Sequence, residues 1–227
     1  AEADDHFSEQ LVCLPLLGTY YYRPERSWPA RARSFFGLAT NRRVYLSPQT
    51  LFKFHPDFDD ALATILDADP HGDLVLLRGR HEAWTKKLSE RLAKRIDVET
   101  RVRFLPAQPT DDFLALLETA DVMLDPFHFG GGNTTYEALA MGTPVVSLPG
   151  NHLRSRITYA LYTKMGFPEL CATTPEEFCD LAIRVATDQE FGIWVREQIR
   201  EKSTVLFEDP AEVRGLEDFF WSLTDRG

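Results

Sequence analysis

From Arg43 onward the chain alternates short apolar runs with stretches of helical periodicity, and this alternation limits its fold more than any other feature. The apolar runs read VYLS, DLVLLRG, VRFLP, ADVMLDPF and TPVVSL, and the segments between them include HEAWTKKLSERLAKR and TDDFLALLETA. A strand of continuously apolar residues is buried on both faces, as in a parallel sheet that helices cover on each side. The alternation therefore predicts an α/β fold with a Rossmann-like, doubly wound parallel sheet.

The two ends of the chain differ from this repeating middle part. Residues 1–41 contain several prolines and no convincing helix–strand pair, so we expect a bridging segment from an N-terminal half that is missing here. Residues 42–207 are predicted as the Rossmann-like domain. Residues 208–227 are predicted as a C-terminal helix, because Asp209 followed by Pro210 is a helix-start signal.

Charge and cysteine usage exclude several classes of partner. The net charge of −10 disfavours nucleic acid, whose phosphate backbone requires a basic surface. We find neither a signal-peptide pattern nor an apolar run of the roughly 18 residues that a membrane span needs. Cys13, Cys171 and Cys179 are odd in number and lack metal-ligand spacing, which is typical of a reducing compartment. A cytoplasmic protein without nucleic-acid or membrane partners is expected.

The stretch HFGGGNTTYEALAMGTPVV, residues 128–146, places three glycines between a predicted strand and a predicted helix. Glycine is costly to order, so the cluster has a local cause: either a tight turn, or a ligand that lies against bare backbone. Asn133 is expected to cap the helix, with Thr134 and Thr135 in its first turn. The free N–H groups and the positive dipole end of such a terminus suit a phosphate or diphosphate.

Ligands of open parallel sheets bind beyond the carboxyl ends of the strands, where three loops of this chain are expected to meet. In SPQTLFKFHP, Lys53 is either a cation facing a diphosphate or a solvated lysine. In LPAQPTDDF, Gln108 and Phe113 could hydrogen-bond and stack on a nucleobase, unless Phe113 belongs to the core. Glu137 either accepts from ribose hydroxyls or is a surface carboxylate that the helix dipole favours. Together the loops describe a nucleotide-diphosphate site.

Four segments then carry a family resemblance: LSPQTLFKFHPDFD, RVRFLPAQPTDDFLALLETADVMLD, GGGNTTYEALAMGTPVVSLPG and LRSRITYALYTKMG. In this order they resemble the C-terminal catalytic half of the O-linked N-acetylglucosamine transferase and SPINDLY family, from about Val44 to Leu223. SEQLVCLPLLGTYYYRP resembles the bridge before this half in bacterial SPINDLY-like members. The resemblance implies the C-terminal half of a GT-B glycosyltransferase, with UDP-N-acetylglucosamine or GDP-fucose as donor and protein Ser or Thr hydroxyls as acceptors.

The resemblance also implies roles for single residues. Lys53, Thr134 and Thr135 are expected to stabilise the leaving diphosphate, and His128 is a candidate sugar contact. The full expected donor-binding set is Gln49, Lys53, Gln108, Phe113, Gly131, Gly132, Asn133, Thr134, Thr135 and Glu137.

Some of these positions depart from the mammalian branch of the family. Asn133 and Phe113 stand where that branch has histidine, and His128 heads a longer glycine loop. The identity of the donor base and sugar therefore stays open between the UDP and GDP donors.

The expected reaction needs no metal and no cofactor. No cluster of carboxylates suited to Mg²⁺ is apparent, and helix N–H groups, hydroxyls and one lysine can stabilise a leaving diphosphate. Retaining enzymes of this architecture usually have two glutamates eight positions apart, but Phe129 stands eight residues before Glu137, which favours inversion. The acceptor-binding residues and the general base are expected in the missing N-terminal Rossmann half, and protein acceptors are expected to be selected by tetratricopeptide repeats.

Three alternatives compete with this interpretation. An oxidoreductase-type dinucleotide fold requires G-x-G-x-x-G after the first strand, where this chain has PQTLFK without glycine. An epimerase or hydrolase of nucleotide sugars shares the two-domain architecture. A non-catalytic nucleotide-binding module is the third alternative, since the fragment alone lacks the acceptor half.

Overall fold

The computed structural model describes residues 7–26 and 29–224. The remaining residues, which belong to the predicted bridge and C-terminal helix, lie outside this description. Backbone contacts divide the chain into two units, of which the larger is Arg23–Leu206. The smaller unit combines the described residues up to Tyr22 with those from Phe207 onward. The predicted domain boundaries after residues 41 and 207 stay predictions.

The smaller unit is held together by backbone and side-chain hydrogen bonds between its two segments. The Gly18 N–H donates to Oε2 of Glu212 at 2.8 Å. The N–H of Glu208 donates to the carbonyl of Tyr21 at 2.9 Å. The C-terminal segment of this unit contains a helix, Pro210–Thr224.

A five-stranded parallel sheet forms the core of the larger unit, in the order β3-β2-β1-β4-β5. The strands are β1 (Arg43–Ser47), β2 (Gly72–Leu77), β3 (Val102–Leu105), β4 (Val122–Leu124) and β5 (Val145–Val146). In the central strand, Tyr45 is paired with Leu74 on one side and with Val122 on the other. The predicted parallel sheet is confirmed. Its strand order reverses direction between β1 and β4, which makes their carboxyl ends the topological switch point.

Nine α-helices lie in the described part of the chain: α1 (Pro56–Ala68), α2 (Glu82–Leu92), α3 (Val98–Arg101), α4 (Thr110–Thr119), α5 (Asn133–Ala140), α6 (Ile157–Met165), α7 (Pro175–Thr187), α8 (Gln189–Lys202) and α9 (Pro210–Thr224). In the larger unit, α1 packs against α7, and α4 packs against α5. Right-handed crossovers place α1 and α4 on opposite faces, because the chain runs across the sheet in opposite directions at these helices. None of the helices described is both long and apolar enough to cross a bilayer.

At the amino ends of the strands, arginine side chains form ion pairs and hydrogen bonds within the protein. Arg43 forms an ion pair with the buried Asp69, which also accepts from the Tyr45 hydroxyl at 2.9 Å. Arg101 donates to the carbonyls of Leu66 at 3.1 Å, of Asp69 at 2.7 Å and of Gly72 at 2.8 Å. At the amino ends of the strands, these contacts give hydrogen-bond partners to backbone carbonyls at the ends of helices and in turns.

The outer side of the short strand β5 is covered by other groups of the larger unit. The N–H of Val145 donates to the Tyr162 hydroxyl at 3.0 Å, and burial raises the pKa of that phenol well above its usual range. The N–H of Ser147 donates to the carbonyl of Leu170 at 3.0 Å, and its carbonyl accepts from Ala172 at 2.8 Å. The outward-facing amides of this strand are therefore paired.

Candidate active site

The candidate site lies where the sheet order reverses, beyond the carboxyl ends of β1 and β4. The two ends are tied together by the Ser47 hydroxyl, which donates to the carbonyl of Leu124 at 2.9 Å. A 3-10 helix, Leu51–Lys53, follows β1, and the glycine loop follows β4. The topology therefore brings together two of the three loops that the sequence predicted for the site.

Lys53 is held against the glycine loop. Its ammonium donates to Oε1 of Gln49 at 2.9 Å and to the carbonyl of Gly130 at 3.0 Å, and it lies 4.6 Å from the ring centroid of Phe129. Burial lowers the pKa of Lys53, while the charge of Asp125 acts in the opposite direction. The position predicted for a diphosphate-binding cation therefore has a fixed, half-buried ammonium.

Asp125 anchors the glycine loop and was missed by the sequence analysis. This buried carboxylate accepts from the Gly131 N–H at 2.6 Å, from the Ser147 hydroxyl at 2.8 Å and from the Thr158 hydroxyl at 2.7 Å. Burial raises the pKa of Asp125, and these three donors oppose the rise by stabilising the ionised form. The only sequence signal for it is its position directly after a buried strand at the switch point.

The three glycines differ in what surrounds them. A Cβ on Gly130 would lie 2.7 Å from the Asp125 carboxylate, and one on Gly131 would collide with the Thr135 hydroxyl. A Cβ on Gly132 would find its nearest neighbour, Cδ1 of Ile157, at 3.8 Å. The protein's own packing therefore explains the first two glycines, whereas a Cβ on Gly132 would fit at ordinary van der Waals distance.

The start of α5 presents backbone donors that the protein does not use. Gly132 occupies the capping position, and Asn133 is the exposed first residue of the helix without a capping bond, so the prediction that Asn133 caps α5 is wrong. The first internal bonds begin at Thr135, whose N–H donates to Gly132 at 2.9 Å. Within the described residues, the N–H groups of Gly132, Asn133 and Thr134 have no acceptor. Such a terminus attracts anions.

The two threonines, placed as predicted in the first turn of α5, have different environments. The Thr135 hydroxyl is fully buried and lies 3.1 Å from the Thr158 hydroxyl, so it is already engaged by the fold. Thr134 is partly exposed, and its hydroxyl makes no hydrogen bond among the residues described. Thr134 is therefore available to a ligand, whereas Thr135 supports the loop from within.

Gln49 carries an unpaired buried donor. Its side chain is 4% exposed, its Oε1 accepts from Lys53, and its Nε2 has no hydrogen-bond partner within the described residues. A Cβ placed on Gly131 would lie 2.9 Å from the same nitrogen, so Nε2 of Gln49 faces the glycine loop. A buried amide without a partner costs free energy unless a ligand or water satisfies it.

The remaining predicted residues lie around this centre without direct contact to Lys53. Gln108 follows β3 and donates to the carbonyl of Pro106 at 2.8 Å, and Phe113 is half-buried on α4. Glu137 is half-buried on α5, and burial raises its pKa. His128 points to the start of α1, where its Nε2 lies 2.9 Å from Oδ2 of Asp57.

An open pocket of about 540 Å³ adjoins Gln49 at the carboxyl ends of β1, β2 and β3. It is lined by Pro48, Gln49, Thr50, Leu77, Arg78, Gly79, Arg80, Pro106 and Ala107. Its volume lies within the range of small-molecule pockets. Gln108 and Phe113 do not line it, although they belong to the adjoining loop and helix.

Known proteins resemble this chain over most of its length. Over 197 residues it is 26% identical to a UDP-N-acetylglucosamine–peptide N-acetylglucosaminyltransferase of Caenorhabditis elegans, which covers 86% of this chain and 17% of that protein. Over 158 residues it is 28% identical to a UDP-glucose:protein N-beta-glucosyltransferase of Actinobacillus pleuropneumoniae, covering 68% of this chain and 25% of that one.

A solved structure extends the likeness to the fold. An O-GlcNAc transferase mutant of Thermobaculum terrenum superposes with a TM-score of 0.81 at 29% identity, covering 97% of this chain and 42% of that one. The predicted fold of one half of a GT-B glycosyltransferase is confirmed. The chain spans less than half the length of each of these proteins. A family model described as glycosyl transferase family 41 matches residues 23–210. The chain therefore belongs to glycosyltransferase family 41.

Proposed function

We propose that this chain is the donor-binding half of an inverting, nucleotide-sugar-dependent glycosyltransferase. The observation that carries the proposal is that unpaired hydrogen-bond donors and one ammonium group converge at the switch point. The unpaired Gln49 Nε2, the Lys53 ammonium and the free N–H groups at the start of α5 all border the glycine loop. A diphosphate has the acceptor oxygens and the negative charge that these donors and the ammonium group can bind.

The donor we propose is UDP-N-acetylglucosamine, with GDP-fucose as the alternative. The C. elegans and A. pleuropneumoniae relatives are both named for UDP-sugars, one N-acetylglucosamine and one glucose. We assign Gln108 and Phe113 to the nucleobase, Glu137 to the ribose and His128 to the sugar. The pocket beside Gln49, which Pro106 and Ala107 of the Gln108 loop help to line, has room for a nucleoside, and Gln108 and Phe113 are proposed to reach the base from the adjoining loop and helix.

The proposed reaction is a direct displacement. An acceptor hydroxyl oxygen attacks the anomeric carbon, the bond from that carbon to the diphosphate oxygen breaks, and the acceptor proton passes to a base outside this chain. The nucleoside diphosphate leaves with its additional negative charge. Lys53, the Thr134 hydroxyl and the amides of α5 stabilise that charge, and Thr135 supports the loop. Because these groups supply the positive potential, the reaction is proposed to proceed without a metal.

We propose that the acceptor binds to parts of the whole protein other than this chain. We propose Ser or Thr hydroxyls of proteins as acceptors, bound by an N-terminal Rossmann half and selected by tetratricopeptide repeats. A cytoplasmic location follows from the same proposal, because such acceptors and nucleotide sugars meet there.

Calorimetric titration of this chain with UDP, GDP and NAD tests the donor assignment. We expect UDP to bind at least tenfold more tightly than NAD, a difference of about 1.4 kcal/mol. Preference for GDP over UDP would support the fucose alternative, and binding of NAD alone would contradict the proposal.

Activity is then tested with the full-length protein, UDP-N-acetylglucosamine and a protein acceptor, with and without EDTA. We expect transfer at equal rates in both, with inverted anomeric configuration. Turnover of the donor without acceptor would instead indicate an epimerase or hydrolase, and tight UDP binding without any turnover would indicate a nucleotide-binding module.

A further inference from the structure

We propose that His55, Asp57 and His128 form a binding site for a divalent transition-metal ion, separate from the diphosphate-binding donors. The three residues come from two distant parts of the chain, the start of α1 and the head of the glycine loop. Their ligand atoms all lie within 4.8 Å of one another. Two imidazoles and one carboxylate with ligand atoms this close together are a set that such ions bind.

The distances require only small adjustments to accept an ion. Nδ1 of His55 lies 3.2 Å from Oδ1 of Asp57, and Nε2 of His128 lies 2.9 Å from Oδ2 of Asp57. Ligands of a tetrahedral zinc ion, each about 2.0–2.2 Å from it, are roughly 3.3 Å apart. These two separations are close to this spacing. The two imidazole nitrogens lie within 4.8 Å of each other, and rotation of the three partly exposed side chains can supply the rest.

Both histidines are positioned by the backbone. His55 precedes α1, and its Nδ1 accepts weakly from the Asp57 N–H at 3.3 Å, so this nitrogen is unprotonated, as a metal ligand must be, and an ion would replace this capping bond. His128 has a left-handed backbone with φ of 68°, an uncommon conformation for a residue other than glycine. The Arg154 Nε–H donates to the His128 carbonyl at 3.1 Å and fixes this loop position.

In the part of the chain that the structure describes, no lysine or arginine competes with an ion for the Asp57 carboxylate. Among the described residues, the ion-pair partners of Asp57 are the two histidines of the cluster, and no lysine or arginine lies within 4.0 Å of it. About half of each of the three side chains is exposed, which gives water access to complete the coordination shell. The cluster therefore offers three ligands and open positions, the pattern of an accessible site rather than a closed structural one.

The ligand types select the class of ion. Imidazole nitrogen suits Zn²⁺, Co²⁺ and Ni²⁺, whereas Mg²⁺ and Ca²⁺ prefer carboxylate, carbonyl and water oxygens. The positive dipole end of α1 opposes any cation here. We therefore expect micromolar affinity for Zn²⁺ and Co²⁺, and binding of Mg²⁺ at least a hundredfold weaker.

A bound ion would link the glycine loop to α1. His128 is two residues before Gly130, whose carbonyl accepts from Lys53, so the ion would restrain the loop that carries the proposed diphosphate donors. The ion would act as a restraint on the loop and is not needed for the transfer. Because it would occupy Nε2 of His128, it would compete with the sugar contact proposed for that residue. Ion binding is measured without nucleotide, so its failure would leave the proposed function untouched.

Titration of the reduced chain with Co²⁺, followed by visible absorption, tests the site. We expect one equivalent to bind with a d–d spectrum of nitrogen and oxygen ligands, and Zn²⁺ to displace it. His55→Ala and His128→Ala are each expected to weaken binding at least tenfold. His152→Ala, which removes an exposed histidine outside the cluster, serves as the matched control and should bind as the unaltered chain does.

The folded state of each variant is checked by circular dichroism, and its melting temperature is measured with and without Zn²⁺. Zn²⁺ should raise the melting temperature of the unaltered chain and of His152→Ala, but not of His128→Ala. Equal Co²⁺ affinity in the unaltered chain and in folded His128→Ala would overturn the proposal. A thiolate-to-cobalt absorption band would also overturn it, since it would place the ion on cysteine.

Discussion

At the amino ends of the strands, Arg43 and Arg101 are fully engaged by Asp69 and by backbone carbonyls. At the carboxyl ends, Gln49 Nε2 and the first N–H groups of α5 have no acceptor within the described residues. The two arginines at the amino ends are thus paired within the protein, whereas donors at the carboxyl ends are without acceptors among the described residues. Because an unpaired buried donor is costly, leftover donors indicate a place kept for a ligand.

Asp69 at the amino ends of the strands and Asp125 at the carboxyl ends are both buried, and they differ in what they hold. Asp69 fixes the Arg43 and Tyr45 side chains, and Asp125 fixes the glycine loop. Burial alone would raise the pKa of Asp69, but its hydrogen bonds with Arg43, Tyr45 and His71 lower it. The pKa of Asp125 is raised by burial, because its partners are neutral donors and Lys53 acts from a distance. Asp69 belongs to a structural ion pair, whereas Asp125 holds the loop that is proposed to bind the diphosphate.

The largest effect is expected from Asp125→Ala. It leaves the Gly131 N–H and the Ser147 and Thr158 hydroxyls without an acceptor, so we expect a loss of about 3 kcal/mol or more in the free energy of unfolding. UDP affinity should also fall at least tenfold, because the loop loses its anchor. Denaturant unfolding and calorimetric titration measure the two quantities.

Asp69→Ala is the matched variant at the amino ends of the strands. It should destabilise the fold to a similar degree, but the fraction that remains folded should bind UDP normally. If both variants lost stability and UDP affinity to the same extent, the two ends of the strands would not differ in function as proposed.

The next largest effect is expected from Lys53→Ala. The variant loses a charge-assisted contact to the diphosphate, so UDP binding should weaken by roughly ten- to a hundredfold, corresponding to about 1.5–3 kcal/mol. Stability should change little, since Lys53 is a half-buried loop residue. Lys94→Ala removes an exposed lysine elsewhere and should leave UDP affinity unchanged. Normal affinity in a folded Lys53→Ala variant would remove this residue from the site.

The smallest expected effect separates the glycines. Gly132→Ala adds a methyl group at van der Waals distance from Ile157, so the free energy of unfolding should fall by no more than about 1 kcal/mol. UDP affinity should drop about tenfold, or 1.4 kcal/mol. Gly130→Ala drives a methyl group into the Asp125 carboxylate and should cost more stability than affinity. Isothermal titration paired with denaturant melts measures both. The reverse order in the two variants would make Gly132 a turn residue and leave the diphosphate without its backbone site.

The sheet could be predicted from the sequence because continuously apolar runs mark parallel strands wherever they occur. Lys53, Thr134 and Gln49 could be placed near one another because loops that follow parallel strands meet at one edge. Asp125 could not be recognised, since its burial depends on donors from Ser147 and Thr158, far along the chain. A local pattern contains no such information.

The capping of α5 shows the limit at short range. Asparagine is a frequent cap, which favoured Asn133, but the loop anchored by Asp125 starts the helix one residue earlier. The cluster of His55, Asp57 and His128 was also unpredictable, because the fold alone brings His128 to residues about 70 positions away.

The covered outer side of β5 has a consequence for how the molecule associates. A bare edge strand is a template on which another chain can add a strand, and this is a common route to aggregation and domain swapping. Here the Tyr162 hydroxyl and the segment around Leu170 occupy the amides that a foreign strand would use. Any partner that approaches from this side must recognise side chains, and nascent copies of the chain are hindered from assembling through this edge.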